Sequence, residues 1–212
     1  MLDPKEVIVE FGVLCSEVCA DFHLYRSLFE ANQRDMDLLN SVAPKLFEDL
    51  NRILINNLFL QFSKITDPAR TGKNANLTTN YLVEEIAWPD EVRQNLQDSN
   101  QRLKMFRKYI EKARSKRIAH ADLPAQLEKM GTLGGFPEGT DTRFLEGLQA
   151  FINIAYGHFH QGSVYPIDPG TTSTDTHQLI RALEKAILYD RCSKCDENER
   201  NTAILDYESD EH

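Results

Sequence analysis

The chain has 212 residues, a formal net charge of −9, 41% apolar residues and 27% charged ones. That length supports one well-buried core, alone or with an appendage, and the composition is that of a soluble protein. The acidic balance argues against a general DNA-coating role. The longest apolar run, near residues 53–60, carries Asn56 and Asn57 and falls short of the roughly 20 residues a membrane span needs.

The opening residues MLDPKEVIVEF lack a basic stretch ahead of an apolar run, so no secretory signal is expected. The expected location is cytoplasmic, with no membrane partner. Pro4, at a favoured first-turn position, opens a helix expected to run to about Asn32. A second is expected from about Arg34 to Ile65, with Leu39, Val42, Leu46, Leu50 and Ile53 at helical intervals. Pro44 should kink it or mark a fresh start. TDPARTGKNAN (66–76) reads as a loop, and its single glycine makes no phosphate-binding loop. Thr78 can cap a short helix through about Ala87.

WPDEVRQN starts the next helix, with Pro89 near the first turn and Asp90 and Glu91 suited to its dipole. Trp88 reads as a hydrophobic staple for that start. This helix is expected to reach about His120. Residues 123–141 are mostly loop, and a helix follows over about 142–160. His158 and His160 form an H-x-H pair, but an i,i+2 spacing on a helix points the rings apart. After the loop GSVYPIDPGTTST, Asp175 is expected to cap a last helix to about Asp190, with Gln178 completing a capping box. Strand signals are scarce and no internal repeat is visible, so the expected fold is all-α. Residues 1–191 form the expected helical domain. Residues 192–212 form an acidic tail, expected to be solvated and mobile.

Charge is strongly segregated. Residues 102–117 hold eight Lys or Arg against one Glu, and residues 196–212 hold seven acids against one Arg. At about 100° per residue, Leu103, Phe106, Ile110 and Ala113 share one arc of the helix that starts at WPDEVRQN. Lys104, Lys108, Lys112 and Lys116 lie opposite. The lysine row suits a solvated outer face or an electrostatic track for a phosphate backbone. Arg114, Arg117 and His120 fall instead within the arc of the apolar residues. Ionised groups there are costly unless paired or wet. They either satisfy carboxylates and helix-end carbonyls or line a cleft.

Four cysteines fall in two pairs, Cys15 with Cys19 and Cys192 with Cys195. Together they could hold zinc through four thiolates. The usual paired knuckles are absent, and helical cysteines are often small core residues.

Arg114 and His120 bracket five residues, with Ser115 directly after the arginine. This resembles the R-x(4–6)-H motif of the HEPN superfamily, whose members are small helical bundles. The segments APKLFEDLNRILINNLFLQFSKITDPART (43–71), NLTTNYL (76–82), ARSKRIAHAD (113–122) and FHQG (159–162) resemble its abortive-infection AbiU-like branch. The resemblance implies a HEPN-like bundle with long antiparallel helices. It also implies metal-independent RNA cleavage without a cofactor, in phage defence or as a toxin. The 2′-hydroxyl would attack the adjacent phosphorus and leave a cyclic phosphate.

In that chemistry His120 would be the general acid/base, since imidazole titrates near neutrality. Arg114 would clamp the phosphate oxygens where charge grows. Arg117 is a second cation by position, and Ser115 and Asp122 are candidates to orient the others. Lys104, Arg107 and Lys108 are candidate RNA contacts. The implied partners are RNA, a second copy of the chain completing a composite cleft, and an antitoxin or other defence component. Ser115 departs from the pattern, where Asn or Asp is common. It leaves open a non-catalytic HEPN module that binds RNA, a nucleotide or a partner protein.

Overall fold

The computed structural model describes residues 3–112, 139–168 and 172–193, with backbone only at 110–112, 172, 173 and 192. Among the described residues there are seven helices: α1 (Pro4–Phe29), α2 (Gln33–Val42), α3 (Pro44–Ile65), α4 (Thr79–Glu85), α5 (Asp90–Lys112), α6 (Thr140–Phe159) and α7 (Thr172–Cys192). The all-α expectation holds. No described helix is long and apolar enough to cross a membrane.

Local chemistry explains most helix ends. The Asn32 side chain accepts from Asp35 N at 2.9 Å and starts α2. Pro44 begins a separate helix rather than kinking one. Ala43 before it sits at φ −152°, outside the helical region, as a residue preceding proline tends to. The Thr78 side chain caps α4 by accepting from Tyr81 N at 3.1 Å.

Two expectations need correction. The 66–76 segment is not all loop: Arg70–Thr71 (β1) and Asn74–Ala75 (β2) pair antiparallel, Arg70 opposite Ala75 and Thr71 opposite Asn74. Gly72, at φ 60°, supplies the positive φ that so tight a hairpin turn requires. Asn76 closes the base, donating through Nδ2 to Pro68 O at 2.9 Å and Thr71 Oγ1 at 2.8 Å. The second correction concerns Asp175. Because α7 begins at Thr172, Asp175 lies inside its first turn, where a carboxylate favours the positive helix end, and is not the cap.

The chain divides into two compact units. One comprises residues 1–22 and 53–170. Its core is centred on α5 and α6. Leu103 meets Gly147, with 3.2 Å from its Cδ2 to where a Cβ would stand, and the Phe106 and Phe144 rings lie 4.7 Å apart. Three residues forward on α5 is three back on α6, so these two helices run antiparallel. Phe62 of α3 completes the cluster, 5.4 Å from Phe106 and 4.9 Å from Phe144. Segment 163–168 returns onto this core. Tyr165 N donates to Asn153 Oδ1 at 3.0 Å, and the Tyr165 ring covers Gly12, where a Cβ would overlap it.

The other unit comprises residues 23–52 and 171–212. There α2 packs against α7. Arg34 pairs with Glu184 at 2.8 Å, the Ser27 and Thr176 hydroxyls lie 3.0 Å apart, and Leu39 and Ile180 are buried. The expected mobile tail falls almost wholly outside the described residues, which end at 193.

Candidate functional site

The end of α3 organises the neighbourhood of the basic helix. Just past its last residue, Ile65, the carbonyls of Thr66 and Asp67 take donors from other elements. Asn80 of α4 gives both amide protons, to Thr66 O at 3.1 Å and Asp67 O at 2.8 Å. Arg107 of α5 donates Nη1 to the same Thr66 O at 2.9 Å and pairs with Asp67 Oδ1 at 2.8 Å. A guanidinium at a helix C-terminus also opposes the negative end of the helix dipole.

Behind these contacts runs a buried relay. Asn100 donates Nδ2 to Asn80 Oδ1 at 2.9 Å. Its Oδ1 accepts from the Thr79 hydroxyl at 2.7 Å. Thr79, Asn80 and Asn100 are at most 4% exposed, and each amide group in the chain of bonds finds a partner. Such a relay fixes the amide orientations and is costly to interrupt.

This junction floors a cleft of about 560 Å³ lined by Thr66, Arg70, Asn80, Glu84, Lys104 and Lys108, among others. Arg70 on its rim grips Glu85 bidentately, Nε to Oε1 and Nη2 to Oε2, each 2.8 Å. That hydrogen-bonded pairing holds the Glu85 carboxyl below its ordinary pKa and the guanidinium above its own. Lys104 and Lys108 are exposed, one turn apart, and neither makes an ion pair among the described residues. A second cavity of about 460 Å³ adjoins, sharing Glu84 and Lys104 and otherwise lined mostly by polar side chains of α5.

Of the candidate residues, Lys104, Arg107 and Lys108 are thus brought to one cleft. Lys104 and Lys108 present open cations there, whereas Arg107 is committed to the α3 terminus. Leu103 and Phe106 are buried, as the helical wheel requires. Arg114, Ser115, Arg117, His120 and Asp122 lie outside the described residues.

Cys15 and Cys19 are buried in α1. Burial, with Cys19 adding to it, pushes the Cys15 thiol well up, and burial pushes Cys19 to about 11. Both are therefore neutral core thiols at physiological pH. The Cys192 side chain and Cys195 lie outside the described residues. Among the described residues no three His, Cys, Asp or Glu side chains gather as a metal site. His158 meets Trp88 edge-on at 5.5 Å, whereas His160 stacks on Tyr156 at 3.9 Å, so the two rings serve different partners. Trp88 is buried, and its Nε1 donates to Leu82 O at 2.6 Å.

Sequence reasoning did not find Arg70, Asn80, Glu84 or Glu85. The only available signal was a Thr-Thr-Asn run entering a short apolar helix, where buried polar side chains need partners.

An all-α bundle whose basic helix leads in sequence into Arg114 and His120 has the pattern of a HEPN-type protein. The AbiU2 family model matches residues 5–186, and the chain belongs to that HEPN family. No curated protein and no solved structure matches it.

Proposed function

We propose that the chain is a metal-independent endoribonuclease of abortive-infection type, acting in phage defence or as a toxin. The observation that carries this is the family match over residues 5–186, which includes the Arg114–His120 motif. His120 takes the proton of the attacking 2′-hydroxyl and returns one to the leaving 5′-oxygen. Arg114 holds the phosphate oxygens as negative charge grows on them. Arg117 adds a second cation, and Ser115 and Asp122 orient the pair. Two copies of the chain form the working cleft in the cytoplasm, and an antitoxin or defence partner restrains it. The open cations Lys104 and Lys108 support the assignment, lying on the same helix that leads to the motif.

The test is cleavage of single-stranded RNA with and without chelator, by wild type, Arg114→Ala and His120→Ala. Cleavage should survive chelation and fall by at least about 100-fold in His120→Ala, the scale of general acid–base catalysis. Equal cleavage by wild type and His120→Ala would refute the assignment. Ser115 and the net charge of −9 favour a second reading, a non-catalytic module that binds RNA, a nucleotide or a partner protein. RNA binding with no cleavage by any form would select it.

A further inference from the structure

The cleft beside α5 carries both signs of charge in a fixed arrangement. Its four basic side chains are Arg70, Lys104, Arg107 and Lys108. Arg70 is held by Glu85 and Arg107 by Asp67 and Thr66 O. The lysines remain as the open cations, one turn apart on one wall, with the Glu84 carboxylate also lining the cleft. Glu84 makes no ion pair among the described residues, although Lys104 shares both cavities with it.

A nucleotide offers a partner to each: its phosphate oxygens accept from the two lysines, and a ribose hydroxyl donates to the carboxylate. The volume of about 560 Å³ falls in the roughly 300–1,000 Å³ of small-ligand sites.

We propose that this cleft grips one nucleotide of single-stranded RNA outside the Arg114–His120 motif, with its phosphate between Lys104 and Lys108 and its 2′-hydroxyl donating to Glu84. The proposal rests on the assignment of RNA as substrate. The 2′-hydroxyl is the group that separates RNA from DNA at any one position. Glu84 is therefore the specificity residue, and the lysines supply salt-dependent affinity. Arg107 is a positioning residue that holds the floor.

The test uses the full chain carrying His120→Ala, so that bound RNA survives, and measures affinity for a single-stranded RNA and its all-deoxy counterpart across salt concentrations. Each phosphate contact on a single strand contributes about 0.7 to the slope of log K against log salt. Lys104→Ala/Lys108→Ala should weaken both oligonucleotides by about tenfold or more and flatten the slope by about 0.7. Glu84→Ala should lower the RNA-to-DNA affinity ratio toward one. Its lost negative charge acts on both ligands alike and cancels in that ratio.

Unchanged affinity and slope in the lysine variant would overturn the cleft assignment while leaving the nuclease intact. A change of oligomeric state with RNA affinity unchanged would overturn it too, assigning the surface to a second copy. An unchanged RNA-to-DNA ratio would remove Glu84 from the proposal. No RNA binding by the parent protein would sink the cleft and the RNA assignment together.

Discussion

Asn80→Ala should be among the most destabilising single substitutions at the α3–α4–α5 junction. It removes three hydrogen bonds: two that Asn80 gives to Thr66 O and Asp67 O, and one that it receives from Asn100 Nδ2. The losses are unequal. Thr66 O keeps Arg107 as a donor, so only the net worth of one bond goes, about 1 kcal/mol. Asp67 O is partly buried and water can reach it, which limits that loss to about 1 kcal/mol. Asn100 Nδ2 is buried and left without its acceptor, a desolvation cost of about 1–3 kcal/mol. The sum is about 3–5 kcal/mol, against a typical total stability of about 5–15 kcal/mol.

Urea unfolding followed by circular dichroism should show that loss, with a fall in Tm of about 10 °C for a chain of this size. Asn76→Ala is the internal control. It breaks two bonds of similar length in the same segment, but in reach of solvent, and should cost no more than about 1 kcal/mol. Asn80→Ala and Asn100→Ala should couple strongly, since the second removal orphans fewer groups than the first. A loss below about 1 kcal/mol for Asn80→Ala, or one equal to that of Asn76→Ala, would refute the buried relay.

Gly12→Ala should destabilise by about 1–3 kcal/mol, because its Cβ overlaps the Tyr165 ring. Adding Tyr165→Ala should recover part of that loss, and a neutral Gly12→Ala would place the ring elsewhere. The thiols of Cys15 and Cys19 titrate higher folded than unfolded, with Cys19 at about 11 against the ordinary 9.0. Folding therefore favours their neutral form. Their contribution is complete below about pH 9, and that of Cys19 is lost as pH rises through about 11. In a Cys192→Ser/Cys195→Ser background, stability should drop between pH 9 and 11. Cys15→Ala/Cys19→Ala should flatten that drop, and parallel pH profiles for the two would contradict burial of the thiols.

What the sequence made legible follows from how local each cause is. Pro44, Thr78 and the Pro89-Asp90-Glu91 start announce themselves within one turn, and the structure puts helix ends there. The β1–β2 hairpin is two residue pairs long, too short for a period to register, and Asn76 and the Arg70–Glu85 pair secure it from outside. The start of α7 was degenerate because Thr171, Thr172, Ser173, Thr174 and Asp175 all favour caps. Arg107 looked like one more cation of a basic track. Its role depends on Thr66, 41 residues earlier, and no window on α5 contains that partner.

NLTTNYL supplies Thr79 and Asn80, which act on architecture: through Asn100 and the α3 terminus they hold α5 from its inward side. The apolar stripe of Leu96, Leu103 and Phe106 buries that side but tolerates small rotations. Hydrogen bonds have directions, and those of Asn100 and Arg107 act about two turns apart on the same helix. Two such pins fix the rotation of α5 about its axis, and with it the direction in which Lys104 and Lys108 point. Variants of this helix should therefore separate into two kinds. Asn100→Ala should lose stability and, with it, RNA affinity, although Asn100 is buried away from solvent. Lys104→Ala/Lys108→Ala should lose affinity at unchanged stability. Equal stability losses in both would mean that the lysines hold the fold rather than the ligand.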